Sequence, residues 1–276
     1  MDLQKLADIS INAALSAGKI IQRHQNKDVE VVKKNAGSSR FSKVVTAVDK
    51  ECEAEIISRL LPSSEEYDLA LLSEETEDDG SRFEKDYFWC IDPIDGTLAF
   101  INKQPGFSVS IALVAKDGTP CIGVVFDPVS GNLYHAIKED GAYKNNKPWK
   151  IKRASDRLTY VTDRTLEETP RSDEIKKLID GYVQQFGLEG IRVMSGGGAV
   201  MNAIRVLENG PACMMKFPKK ETGGGCIWDY AATACIYREL GLPATNFEGG
   251  RLDLNRRDGV FMNHQGVYYA NISADQ

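Results

Sequence analysis

Trp89-Cys90-Ile91-Asp92-Pro93-Ile94-Asp95-Gly96-Thr97 runs from an apolar, strand-like stretch into two carboxylates three residues apart and closes on Gly-Thr. Acidic residues at the end of a buried strand present oxygen ligands from a fixed backbone, and the carbonyl of Ile94 between them adds another. Hard divalent cations, Mg²⁺ first among them, take such oxygen sets. The amides of Gly96 and Thr97 would face a phosphate if a helical turn begins at Thr97-Leu98-Ala99-Phe100, and glycine lets the chain approach it closely. Taken singly the parts are ordinary: Asp79-Gly80, Asp117-Gly118, Asp140-Gly141, Asp258-Gly259 and Asp127-Pro128 read as plain turns. Their fusion, with a strand before and a threonine after, points to a metal-and-phosphate site and to phosphatase chemistry.

The pattern on either side of this stretch sets the fold class. Leu3, Leu6, Ala13, Ala17 and Ile20 follow helical spacing, so an amphipathic first helix is expected to pack on the body. Lys33 to Arg40 is small and charged, the composition of a flap loop. Val44 to Asp49 leads into a helical pattern through Cys52, Ile56, Ile57, Leu60 and Leu61 that is expected to stop at Pro62. Ala70-Leu71-Leu72 reads as a short strand ending at Ser73-Glu74-Glu75, followed by an acidic loop and a strand over Tyr87 to Ile91. From Phe107 strict alternation and turn dipeptides predict an antiparallel meander. Beyond about residue 155 strands and helices alternate: Thr159–Thr162, Ser172–Phe186, Ile191–Met194, Ala199–Glu208, Ala212–Phe217, then a helix opened by Asp229 and closed at Gly241. The expectation is α+β, with residues 1–155 as an α+β half carrying most of the acidic candidates and residues 156–276 as an α/β half completing the site and the substrate pocket.

Composition narrows the function. A chain of 276 residues can bury a substantial core without disulfides. The formal charge of −6 disfavours a nucleic-acid polymer or an anionic membrane as partner, since both require the opposite field. The six cysteines, Cys52, Cys90, Cys121, Cys213, Cys226 and Cys235, are scattered without a C-x-x-C pair and read as buried free thiols, which fits a cytoplasmic protein. Asp2, Lys5 and Asp8 break any secretory h-region, and no apolar run is long enough to span a bilayer.

Spacing also removes rival phosphate chemistries. Aspartyl-phosphate enzymes of the haloacid dehalogenase type need D-x-D, whereas the gap here is three. No cysteine is followed by arginine at the sixth position; Cys213 meets Lys219 there. His24, His135 and His264 show no metal spacing, and there is no G-x-x-x-x-G-K-[ST] loop. Plain readings stand beside the sharp ones elsewhere: Glu74 and Glu75 read equally as a solvated acidic run, and Asp49 and Asp229 as N-caps.

Asp92-Pro93-Ile94-Asp95-Gly96-Thr97, with Thr46-x-x-Asp49, Ser73-Glu74-Glu75 and Trp228-Asp229 in order, resembles the inositol monophosphatase-like family of Mg²⁺-dependent, lithium-sensitive phosphatases, which includes fructose-1,6-bisphosphatases and 3′(2′),5′-bisphosphate nucleotidases. The resemblance covers essentially the whole chain and implies the layered αβαβα sugar-phosphatase fold. It implies that Glu74, Asp92 and the Ile94 carbonyl hold one Mg²⁺, that Asp92, Asp95 and Asp229 hold a second, and that Glu74 helps with a third. Asp49 and Thr97, with Glu74, then form the catalytic set, the Asp49/Thr97 pair orienting and deprotonating a metal-activated water for in-line attack on phosphorus. Five carboxylates beside a phosphate dianion would require about two or three divalent cations to neutralise them. Family members often dimerise, so a homodimer is an expectation.

The substrate side is less determined. Leu98-Ala99-Phe100 and Met194-Ser195-Gly196-Gly197-Gly198-Ala199 stand where bisphosphate nucleotidases carry Lys-Glu-Phe and Gly-Ser-x-x-Lys. Ser195, Gly196 and Gly197 could contact a ligand or simply connect a strand to a helix. Glu221 is a candidate substrate contact before Trp228-Asp229, although Gly223-Gly224-Gly225 alters the loop. Lys216, Lys219 and Lys220 could attract a second phosphate or form a solvated basic patch. The expected substrate is a small phosphorylated metabolite, an inositol or sugar monophosphate. The alternatives are 3′-phosphoadenosine 5′-phosphate and a non-catalytic metal- or phosphate-binding regulator.

Overall fold

The structure is a computed structural model that describes residues 1–27, 31–33, 44–166, 168 and 171–272, with only the backbone of 31–33 and 44–46. Apart from the backbone of Lys33, the expected flap over Lys33 to Arg40 lies outside the described residues.

Five layers stack in the order helix, sheet, helix, sheet, helix. The outermost pair is α1 (Leu3–His24) against α2 (Ala47–Tyr67). The α1 face turned inward is the expected one, with Leu6, Ala13, Ala17 and Ile20 buried, and Asp2 caps the helix by accepting from the Lys5 amide. Beneath lies a seven-stranded sheet ordered β3 (Ala70–Ser73), β4 (Tyr87–Asp95), β5 (Ser108–Ala115), β6 (Pro120–Phe126), β7 (Leu133–Ile137), β8 (Gly141–Lys144) and β9 (Lys147–Pro148). Only the β3–β4 pairing is parallel; the rest is the anticipated meander. A short antiparallel pair, β1 (Val31–Lys33) and β2 (Val44–Thr46), leads into α2.

The second sheet runs β11 (Ile191–Ser195), β10 (Leu158–Thr162), β12 (Ala212–Lys216), β14 (Val267–Asn271) and β13 (Ala244–Thr245). The three strands β11, β10 and β12 are parallel, as alternating strands and helices require, and β14 and β13 add antiparallel pairings. Between the sheets lie α5 (Ala199–Glu208) and α6 (Ile227–Glu239), and α4 (Ser172–Gln185) packs on β10. Strand β5 shows why alternation was visible: Phe107, Val109, Ile111 and Leu113 join the cluster under α1 and α2, while Ala112 and Val114 join the one formed by α5 and α6. Burying such a large aliphatic side chain contributes about 1.5–3 kcal/mol. All six cysteines are buried and free. Among the described residues, no helix is long and apolar enough to cross a membrane.

Three boundaries differ from expectation. Helix α2 does not stop at Pro62 but continues to Tyr67. Proline costs the helix one amide bond, to the Ser58 carbonyl, and packing of Tyr67 on the α1/α2 core carries the last turn past it. Strand β4 does not end at Ile91 but carries Asp92 and Asp95 within it. Its pairing with β5 is irregular between those residues, where Pro93 has no N–H for the ladder. Helix α6 begins at Ile227, two residues before Asp229, which therefore lies in its first turn rather than ahead of it.

Candidate active site

The irregularity in β4 brings its two acidic residues to one place. Asp92, Asp95 and Asp229 offer carboxylate oxygens that all lie within 4.8 Å of one another. Asp92 and Asp95 are buried at the strand end; Asp229 enters from the first turn of α6, across the interface between sheet and helix. Glu74 stands at the end of β3, where its amide extends the parallel ladder by donating to Ile91 O at 3.2 Å. Its charge is felt by Asp92 although it lies outside the tightest triad.

Each carboxylate is braced. Asp92 Oδ1 accepts from the Ile94 amide at 3.0 Å, which shapes the segment between the two acids. Asp95 accepts at both oxygens, from the Ala199 amide at 3.0 Å and the Val200 amide at 2.9 Å. The start of α5 thus grips a residue of the other sheet, a use of free helix-end amides that sequence reading did not anticipate. Asp229 is not the N-cap that the plain reading expected; Cys226 is, and Asp229 Oδ2 accepts from the Cys226 amide at 2.8 Å as the third residue of a capping box while its carboxylate also belongs to the cluster.

Protonation follows from burial and like charge. Desolvation, then Glu74, Asp95 and Asp229, drive Asp92 well above the usual carboxylate range. Desolvation and Asp229 push Asp95 up to about 8 despite its two amide donors. Asp229 is also raised by desolvation, with the Cys226 amide and Lys216 acting the other way. A cluster of oxygen donors that cannot all ionise alone is the donor chemistry that hard divalent cations fit.

Thr97 begins α3 (Thr97–Ile101). Its hydroxyl lies 3.2 Å from Asp49 Oδ1 and 3.1 Å from the Ile94 carbonyl. Asp49, in the first turn of α2, is fully buried. Gly96 is left-handed at φ 84°, and a side chain there would meet Gly106 O at 2.8 Å and Gly198 N at 3.0 Å.

The glycine loop between β11 and α5 is largely a packing device. A side chain on Gly197 would meet the Gly106 carbonyl at 3.1 Å, and one on Gly198 would collide with the Asp95 carboxylate. Arg205 holds the loop from below, donating to Gly196 O and, at 3.0 Å, to Asn202 Oδ1. Ser195 is exposed, and a side chain on Gly196 would meet nothing within 4 Å. Glu221 is exposed, ahead of three successive positive-φ glycines, Gly223 to Gly225. Lys219 and Lys220 are exposed, whereas Lys216 is largely covered: its ammonium lies 3.6 Å from Asp163 and 6.0 Å from the centre of the Tyr230 ring. Of the histidines, His135 is buried and stacks on Tyr143 at 4.9 Å, a packing role.

Sequence reading missed the amides of Ala199 and Val200, Arg205, and the buried Glu53. A glycine run directly before an apolar helix was the available signal for the first.

The fold has five layers, with an acidic cluster that could hold a metal ion at a strand end and a Thr–Asp pair near it. The chain belongs to the inositol monophosphatase family, whose sequence pattern matches residues 2–276. An inositol-1-monophosphatase of Synechocystis sp. is 31% identical over 92% of this chain and 83% of its own length. The Nus factor SuhB of Haemophilus influenzae is 35% identical over a shorter match, 52% of this chain and 51% of that protein, so this match spans about half of that relative. Among solved structures, CysQ from Bacteroides thetaiotaomicron superposes with a TM-score of 0.74 at 25% identity, covering 97% of both chains.

Proposed function

We propose that this protein is a Mg²⁺-dependent phosphomonoesterase acting on a small phosphorylated metabolite of the inositol or sugar monophosphate class. The observation that carries the reading is the convergence of Asp92, Asp95 and Asp229 within 4.8 Å beside the Thr97–Asp49 pair. Family membership and the relative named inositol-1-monophosphatase support it.

In this reading Asp92, Asp95 and Asp229 hold divalent ions, with Glu74 and the Ile94 carbonyl at the edge of the set. Mg²⁺, when bound, supplies charge neutralisation for the phosphate and acidifies water near phosphorus. Gly96 and Thr97 offer amides to the phosphate oxygens. Asp49 takes the Thr97 hydroxyl proton in its hydrogen bond, which leaves the Thr97 oxygen able to accept from the attacking water, and the proton lost by that water is held on this pair. Ser195 and Gly196 are candidates for contact with the alcohol portion.

Two further readings have their own support. The exposed Lys219 and Lys220 leave room for a substrate with a second phosphate, such as 3′-phosphoadenosine 5′-phosphate, whereas Lys216 is already paired with Asp163. Relatives named Nus factor favour a regulator that keeps the site without turnover. Phosphate release with Mg²⁺ from inositol 1-phosphate, fructose 1,6-bisphosphate and 3′-phosphoadenosine 5′-phosphate separates the three. The monophosphate reading expects the first to be hydrolysed fastest. Preference for a bisphosphate selects the second reading, and metal binding without any turnover selects the third.

A further inference from the structure

Helix α2 presents a second buried acid one turn after Asp49. Residues four apart share a helix face, yet Asp49 and Glu53 serve different segments. Asp49 meets Thr97, whereas Glu53, only 8% exposed, turns to the residues around Glu74. Its Oε1 accepts from the Ser73 hydroxyl and from the Glu75 amide at 3.2 Å; its Oε2 accepts from the Thr76 hydroxyl at 3.1 Å. Ser73, Glu75 and Thr76 flank Glu74 on both sides, and the Glu74 amide is itself tied to Ile91 O in β4. A buried carboxylate is costly unless donors surround it, and here every donor belongs to one short turn.

We infer that Glu53 is a positioning residue for the candidate ion site: it fixes the turn after β3 so that the Glu74 carboxylate is delivered toward Asp92. The helix that bears Asp49 thereby sets the spacing between the proton-handling pair and the Glu74 edge of the cluster. The Glu53 carboxylate directs its own hydrogen bonds to Ser73, Glu75 and Thr76. The inference rests on Glu74 acting as an ion ligand, as proposed above.

A bracing role is geometric and not one of charge, and this separates it from direct ligation. In Glu53→Gln the amide oxygen can keep the Ser73 and Glu75 bonds while its NH₂ donates to the Thr76 hydroxyl, which also accepts. Glu53→Ala loses all three bonds.

The test is Mn²⁺ titration of the metal-stripped full-length protein by electron paramagnetic resonance, with the thermal midpoint of each variant in parallel. Glu53→Ala should weaken Mn²⁺ binding by about 10–100-fold, the range for outer residues that orient ligands. Glu53→Gln should recover most of that loss. If Glu53→Ala does not fold, Thr76→Val and Ser73→Ala each remove one bond and should weaken binding by about 2–10-fold. Unchanged binding in Glu53→Ala, or in both single-bond variants, overturns the inference, as does Glu53→Gln binding as poorly as Glu53→Ala. Glu74→Gln serves as the control. If it weakens Mn²⁺ binding while the Glu53 variants do not, the positioning role alone fails; if it binds normally, Glu74 is not a ligand and both readings fall.

Discussion

The Thr97 hydroxyl sits 3.2 Å from Asp49 Oδ1 and 3.1 Å from the Ile94 carbonyl, so its single proton has two competing acceptors in a buried corner. A carboxylate outcompetes a neutral carbonyl for that proton, and the Thr97 oxygen keeps its capacity to accept a further bond. Thr97→Ala and Asp49→Asn should each lower kcat by about 10²–10⁴-fold, the usual contribution of placed proton transfer. Thr97→Ser keeps the hydroxyl and should retain most activity. Metal titration of the same variants should show near-normal binding; a loss of affinity that matches the loss of rate would make Thr97 a structural residue only.

Asp92 carries the heaviest burden of desolvation and like charge. Asp92→Asn should abolish at least about two orders of magnitude of rate, while the metal-free protein becomes more stable, because a buried group raised by neighbours costs folding free energy that a neutral isostere avoids. Steady-state rates and thermal midpoints without metal check both halves of the expectation.

The pH response follows from Asp95, raised to about 8 by burial and by Asp229. A carboxyl raised in the folded state binds more protons folded than unfolded between the ordinary aspartate range and about 8, so the metal-free protein should lose stability as pH rises through that window. Divalent ions displace the same proton, so their apparent affinity should climb over the same interval. Thermal midpoints from pH 5 to 8.5, with EDTA and with Mg²⁺, should therefore diverge with increasing pH.

Two glycines in one loop should behave oppositely. Gly198→Ala places a methyl against the Asp95 carboxylate and should cost about 1–3 kcal/mol together with metal affinity, as overpacking does. Gly196→Ala meets open space and pays only for its φ of 89°, about 1–2 kcal/mol, with metal affinity retained. Denaturant melts and metal titrations of the two variants distinguish collision from backbone strain.

Much of this was legible in the chain. Helical spacing in α1 and alternation in β5 are local signals, and each produced the right face. The stretch from Asp92 to Thr97 could be singled out because strand, acids, glycine and threonine are contiguous, and its two acids do converge with Asp229. Pro62 misled the end of α2, where packing of Tyr67 on the core outweighs a local breaker, and the extension of β4 past Ile91 depends on a bulge opposite β5. What sequence could not show were bonds between distant segments: Arg82, almost wholly buried, joins Asp78 to Asn255 and to the Arg256 carbonyl, and Asp95 meets Ala199. The Ser195 to Gly198 run had two open readings, and the structure spends Gly197 and Gly198 on packing.

The grip of α5 on Asp95 spans 104 positions of sequence. A contact between segments so far apart requires closure of a long loop, whose entropy cost must be met before the bond stabilises anything. A partly folded chain, or one whose second sheet has come loose, would have Asp95 without its amides and Asp229 displaced from its partners. Ion retention would then require that closure, and not only the folding of the outer helices and the meander.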